Sequence, residues 1–266
     1  MKKKSHLLSV IYSVLIFLFL YAPIFVLIVF SFNASKSRGH WGGFSLRWYE
    51  SLFKNSMLMD ALQTTLSVAL VSSAIAVLIG TAAALGLYYS KKRVRNLLMS
   101  ITSLPMLNAD IVTGISLLLL FTFIGLKLGY ISLLLAHITF NIPYVILSVM
   151  PKLNQLDKHT FEAALDLGAT PLRAFFKVML PEIAPGIVTG FILAFTMSID
   201  DFVISFFTTG ADVSTLSVAI YSMTRRGIKP EINALSTLMF VAVLTLLLIV
   251  NARSGRDTQK REKERR

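Results

Sequence analysis

The chain has no cysteine in its 266 residues, so disulfide scaffolds and thiolate metal sites are excluded. Its four histidines, His6, His40, His137 and His159, are scattered without metal-ligand spacing and read as structural or exposed residues, and no metal site is expected. Acidic residues are scarce, 14 Asp and Glu against 26 Lys and Arg, which leaves a net charge of +12. Such an excess invites a nucleic-acid partner, but a basic soluble face interleaved with aromatics is missing, so none is expected. No GxxxxGK[ST] loop is present, and the chain cannot cradle nucleotide phosphates in the usual way. There is also no soluble domain, low-complexity linker or strong internal repeat.

What is present is apolar, 55% of the residues. The apolar residues gather in six runs, at 8–32, 61–89, 97–124, 129–150, 184–209 and 233–251. About 20 residues suffice to cross a bilayer as a helix, and a helix satisfies its own backbone polar groups in lipid. The expected fold is therefore an all-α integral membrane protein with six transmembrane helices. The first run is too long for the apolar core of a secretory signal, and no small-x-small cleavage site follows, so it reads as an uncleaved span. With the N-terminus inside, 18 of the 26 Lys and Arg fall in cytoplasmic segments, the asymmetry that sets orientation in a plasma membrane and puts both termini in the cytoplasm. The expected order is a tail and first span at 1–32, an external loop at 33–60, a core at 61–252 and a basic tail at 253–266, a charge run that reads as a solvated, disordered end able to touch anionic lipid.

The external loop carries Trp41, Phe44, Trp48, Tyr49 and Phe53. Such aromatics anchor at the membrane–water boundary, and Trp48 or Tyr49 could instead line an entrance. The second run has small residues at Ala69, Ser73, Ala76, Gly80, Ala83 and Ala84, which let helix backbones approach in lipid. A second external loop, 210–233, is moderately apolar and predicts a short helix ending near Arg225 to Gly227.

Three carboxylates fall inside runs: Asp110, Asp200 and Asp201. An acid at the centre of a membrane helix costs roughly 3 kcal/mol, so each should face protein or water rather than lipid. No Lys or Arg occurs inside any run, so none of the three has a basic partner at its own depth. The acids are left to be protonated, to pair with another subunit, or to meet a cationic substrate. On one continuous helix, Asp200 and Asp201 would project about a quarter-turn apart. Asn108 and Asn141 read as interhelical hydrogen-bonding groups.

Between the fourth and fifth runs lies a polar segment, Glu162 to Pro181, EAALDLGATPLRAFFKVMLP. Asp157 can cap a first helix, and Gly168 supplies a left-handed turn at its end. Thr170 can cap a second, with Pro171 at the first helical position, and Pro181 is expected to stop it before the next run. Glu162 and Asp166 share one face, as do Arg173 and Lys177, while Phe175, Phe176 and Met179 give an apolar side. A charged hairpin bearing aromatics suits a groove on a partner better than bare solvent.

The segment resembles the EAA loop of bacterial ABC importer permeases: Glu162-Ala163-Ala164, three residues, Gly168, nine residues, then Val178-Met179-Leu180-Pro181, where the family has Ile-x-Leu-Pro. The resemblance implies the type I, MetI-like permease fold, with Glu162, Ala163, Ala164, Gly168, Leu180 and Pro181 docking at 157–181 into a cytoplasmic ATPase dimer. Over nearly its whole length the chain also resembles permeases of spermidine/putrescine importers, in YAPIFVLIVFSFN, FSLRWYESLF, LPMLNADIVTGISLLLLF and SIDDFVISFFTTG. That implies Asp110, Ser198, Asp200 and Asp201, with Trp48 at the entrance, as polyamine contacts. It further implies a second permease, a periplasmic polyamine-binding protein and the inner membrane as setting. The chain would not be an enzyme and would hold no cofactor, ATP and magnesium being bound by the partner ATPase. The rival readings are an importer of another cation such as ferric ion or thiamine, a proton-coupled secondary transporter, and an intramembrane aspartyl hydrolase.

Overall fold

The computed structural model describes residues 2–36, 40–225 and 230–245. The expected basic tail at 253–266 and the end of the sixth run beyond 245 lie outside the described residues. The helices are α1 (Lys2–Ser31), α2 (Arg47–Lys54), α3 (Ser56–Tyr89), α4 (Lys92–Leu107), α5 (Asp110–Phe123), α6 (Tyr130–Asn154), α7 (Lys158–Asp166), α8 (Pro171–Ala174), α9 (Leu180–Asp200), α10 (Val203–Thr208), α11 (Leu216–Arg225) and α12 (Pro230–Thr245). A π-helical turn, Phe175–Met179, joins α8 to α9. Extended pairing among the described residues is limited to an isolated antiparallel bridge, Asn33 with Phe44.

Four stretches are long and apolar enough to cross a membrane: Val10–Ser31, Ser56–Tyr89, Tyr130–Asn154 and Pro171–Asp200. The third expected run is not one straight helix. It breaks into α4 and α5, which bend by 102° and count as a fifth span only if taken together. Asn108 and Ala109 are extended at the break (ψ 150° and 134°). Asn and Asp compete with helix hydrogen bonds through their own side chains and favour helix ends, which is where Asn108 and Asp110 stand. The described part of the sixth expected run, up to 245, is helical and belongs to α12.

Two compact units form. The larger spans residues 60–219 and is built on α6 lying against α9. A Cβ placed on Gly186 would stand 2.9 Å from the Ser148 carbonyl oxygen, and one on Gly190 would stand 3.2 Å from Val145 Cα. Backbones this close need glycine, and close packing replaces the missing hydrophobic drive between helices in lipid. The small-residue stripe of α3 packs in the same core: Ala69, Ser73, Ala76, Gly80 and Ala84 are buried, and Gly80 meets Val145. Val145, Val149, Leu153, Ile183 and Ala194 fill the centre, while Leu117, Phe121, Ala136, Phe140 and Ile204 form a second cluster.

The other unit comprises the residues before 60 and those from 220. From Val10 to Tyr21 α1 exposes its large apolar side chains all round, as a helix bathed by lipid does, while Ile24, Leu27, Ile28 and Phe30 are half-buried. Beyond it, buried Asn33 organises the turn: its Oδ1 accepts from the Ser35 and Gly42 N–H groups (3.1 and 2.8 Å), and its Nδ2 donates to the His40 carbonyl (2.8 Å). The start of α12 is tied to α2, with Ser51 Oγ donating to Glu231 Oε1 at 2.7 Å and Asn55 Nδ2 to Oε2 at 3.3 Å.

Candidate functional site

The expected intramembrane acids stand at two helix breaks. Asp110 is the first residue of α5 and is exposed. Helix α9 ends at Asp200. Asp201 is extended (φ −63°, ψ 125°), and the chain restarts as α10 at Val203. The fifth expected run is thus broken too, and the two aspartates do not share one helical wheel. Asp200 is exposed, whereas the Asp201 side chain is only 7% exposed.

The two restarted helices run side by side in the same direction. A Cβ on Gly114 of α5 would stand 2.8 Å from Phe207 Cδ2 and 3.4 Å from the Val203 carbonyl oxygen. At the far end, one on Gly210 would meet the Leu128 carbonyl oxygen at 2.8 Å. The starts of α5 and α10, with Asp110 on one and the aspartate pair just before the other, therefore lie at the same end of the pair. Helix N-termini carry about half a positive charge and stabilise carboxylates placed there, which is where Asp110 and Asp201 stand, whereas Asp200 is the last residue of α9.

Asp201 is engaged inside the protein. Its Oδ2 accepts from the Ser205 N–H at 2.7 Å and its Oδ1 from the Ile204 N–H at 3.2 Å, capping α10. Its Oδ2 also lies 3.6 Å from Nε2 of His137 on α6, an electrostatic rather than hydrogen-bonding separation. The expectation that no acid has a basic partner at its own depth is corrected by this imidazole. His137 is buried, with Nδ1 2.6 Å from Ser198 Oγ on α9 and Nε2 3.2 Å from Ser205 Oγ on α10. Ser198 Oγ is 3.4 Å from Ser72 Oγ on α3, which accepts from Asn141 Nδ2 at 3.3 Å. Ser198, expected on the pathway, is thus buried within a polar chain that crosses the helix core. Ser205 and Ser72 escaped the sequence reading, which names His137 as structural or exposed without giving it a partner. The available signal was that an ionisable side chain inside an apolar run faces protein and finds a partner.

Trp48, expected at an entrance, is 6% exposed on α2. Its Nε1 donates to the Asn33 carbonyl at 2.6 Å, and the Arg47 guanidinium carbon lies 4.2 Å from the centre of its ring. Tyr49 hydrogen-bonds Ser31 through their hydroxyls at 2.7 Å.

The polar hairpin folds by local chemistry. Asp157 accepts from the His159 N–H at 2.9 Å, starting α7. Gly168 ends it at φ +82°, with its own N–H bonded to the Leu165 carbonyl and that of Ala169 to the Ala164 carbonyl, a Schellman closure. Thr170 Oγ1 accepts from the Arg173 N–H at 3.4 Å, and Pro171 opens α8. Pro181 does not stop this helix as expected. Proline removes an N–H and crowds the carbonyl four residues back. Here the preceding turn widens, with the Leu180 N–H reaching the Phe175 carbonyl, and the helix continues through Leu180 and Pro181 into α9.

On the hairpin surface, Glu162, Ala163, Gly168 and Pro181 are exposed, while Ala164 and Leu180 are half-buried. Leu167, Leu172 and Phe176 are 89%, 69% and 55% exposed, an apolar set with no cover among the described residues. The exposed Glu162 carboxylate lies 3.8 Å from His159 Nδ1. Beside the hairpin is a cavity of about 650 Å³, lined among others by Tyr88, Arg95, Glu162 and Glu182.

A polar hairpin hung from a helical membrane core, with acids at breaks inside that core, is the architecture of a transport permease. Residues 76–254 match the family described as binding-protein-dependent transport system inner membrane component, and the chain belongs to it. The chain is 40% identical over 245 residues to the spermidine/putrescine transport system permease protein PotC of Escherichia coli (strain K12), covering 92% of each. It is 41% identical over 234 residues to the putrescine transport system permease protein PotI of the same strain, covering 85% of this chain and 83% of the relative. Among solved structures, a bacterial ABC transporter involved in import of the acidic polysaccharide alginate matches with a TM-score of 0.72 at 14% identity, over 94% of this chain and 97% of that one. The alginate transporter in complex with a pentasaccharide-bound periplasmic protein matches at 0.68 and 18% identity, over 97% and 96%. These two likenesses speak for the fold alone.

Proposed function

We propose that this permease forms, with a second permease subunit, the pathway through which an ATP-driven importer moves spermidine or putrescine across the bacterial inner membrane. The observation that carries the reading is the pair of helix breaks that start α5 and α10 beside one another, with Asp110 and Asp200 exposed at them. Discontinuous helices are where membrane carriers bind cargo, because broken backbone is tolerated only where it lines a cavity or is covered by protein. Exposed carboxylates there attract ammonium groups and repel anions. The names of the relatives, at 40% identity over 92% of the chain, supply the cargo class.

The hairpin with its exposed Leu167, Leu172 and Phe176 docks into a cytoplasmic ATPase dimer, which binds ATP and magnesium and performs the hydrolysis. Glu162 and the Gly168 turn set the docking angle. A periplasmic binding protein delivers the cargo on the opposite face, and both termini lie in the cytoplasm. Transport follows from alternating exposure of the acids, with cargo affinity lost in the nucleotide-driven state.

The test is uptake of labelled spermidine by the whole complex in proteoliposomes loaded with ATP, comparing wild type with Asp200→Asn. Wild type should accumulate spermidine, the variant should lose at least tenfold in rate, and excess putrescine should compete. Uptake of ferric ion or thiamine in place of polyamine, or unimpaired uptake by Asp200→Asn, would overturn the assignment.

A further inference from the structure

We infer that His137 is a positioning residue: it clamps the end of α9 to the start of α10 through Ser198, Ser205 and Asp201, and so leaves Asp200 as the acid of the pair that meets a cationic cargo. The inference rests on the proposed polyamine function for the cargo, but not for the clamp.

Both carboxylate oxygens of Asp201 are occupied by backbone N–H groups of α10, at 3.2 and 2.7 Å. The imidazole faces the same carboxylate at 3.6 Å while touching one serine on each side of the break, at 2.6 and 3.2 Å. A helix interrupted in the membrane leaves orphan N–H and carbonyl groups that water cannot satisfy. Asp201 satisfies two N–H groups, and His137 fixes where the restarted helix points by holding Ser198 and Ser205 together. Asp200, one residue before, has no hydrogen bond or ion pair recorded among the described residues and is exposed. Two neighbouring aspartates thus differ in role: one holds the bend and the other presents charge. His137 is itself held in register, since Ser198 continues through Ser72 to Asn141, one turn along α6 from the histidine.

The test has two readouts, made on the whole complex in membranes. The first is spermidine uptake. Asn caps helices as Asp does but keeps only one of the two acceptor oxygens, so Asp201→Asn should recover part of the uptake lost in Asp201→Ala, whereas Asp200→Asn should behave like Asp200→Ala. The second uses the absence of native cysteine. An Asp200→Cys chain is labelled with a cationic methanethiosulfonate, with Lys127→Cys in the polar loop after α5, 88% exposed, as a control. Adding His137→Ala should change the labelling rate at position 200 at least fivefold and leave the control rate unchanged, and His137→Gln should restore part of it. An unchanged rate at 200, or Asp201→Asn as impaired as Asp201→Ala, overturns the clamp. Labelling needs no cargo, so a shifted rate alongside absent spermidine uptake in wild type would refute the polyamine reading while supporting the clamp.

Discussion

Gly168 offers a graded test of the hairpin. It sits at φ +82°, and a Cβ built there meets nothing within 4 Å, so a side chain is opposed by backbone conformation and not by collision. An L-residue held in the left-handed region loses roughly 1–2 kcal/mol, with Asn penalised least and β-branched residues most. A loss of 1–2 kcal/mol lowers the ratio of correctly closed to open hairpin by about 5–30-fold. The order of damage should therefore be Asn, then Ala, then Val, with Asn near wild type and Val close to inactive. The assay is ATP-driven uptake by the reconstituted complex, alongside ATPase stimulation by the binding protein and cargo binding by that protein alone. The first two should fall along the series while the third stays constant. Wild-type uptake by Gly168→Val, or equal damage from Asn and Val, would show that the Schellman geometry does not govern coupling.

Other outcomes follow from the same structure. Gly210→Ala should destabilise the complex in thermal unfolding far more than Gly125→Ala: both glycines sit at φ +71°, but only at Gly210 would the new carbon stand 2.8 Å from a carbonyl oxygen. Trp48→Ala should cost about 3–5 kcal/mol in the same assay through the cavity it leaves, and Trp48→Phe about 1 kcal/mol through the lost bond to Asn33. Equal mild effects would mean that the indole is not the packed post seen here. Breaking the exposed Lys127–Asp212 pair with Asp212→Asn should change stability by less than about 1 kcal/mol.

The hairpin could be read from sequence because its signals are local. Asp157, Gly168, Thr170 and Pro171 each act within three or so residues of their own position, and the chain folds there as those residues dictate. The helix breaks could not be read so. The runs at 97–124 and 184–209 are apolar enough overall to read as single spans although Asn108, Asp110, Asp200 and Asp201 interrupt them, and at the second break the local Asp201 cap on α10 is joined by a histidine 64 positions earlier. Treating those runs as straight helices puts Asp200 and Asp201 on one wheel, which the break overturns. The division it allows, one acid turned outward and the other toward a neighbouring helix, agrees with Asp200 exposed and Asp201 against His137. Pro181 misled for the opposite reason. Its local penalty is real, but one widened turn relieves it, and nothing in the residue itself announces that turn. The likeness to known permeases supplied cargo and partners, which composition and periodicity leave open.

The widened turn has a mechanical consequence. Because Phe175–Met179 bridges α8 and α9 without a loop, Pro171–Asp200 is one unbroken 30-residue rod. At about 1.5 Å per residue it is roughly 45 Å long. Its lower tip is the base of the hairpin and its upper tip is Asp200. The hairpin base and Asp200 are therefore the two ends of one continuous helix, so under the proposed coupling a tilt at the hairpin end is carried to that carboxylate without an intervening loop.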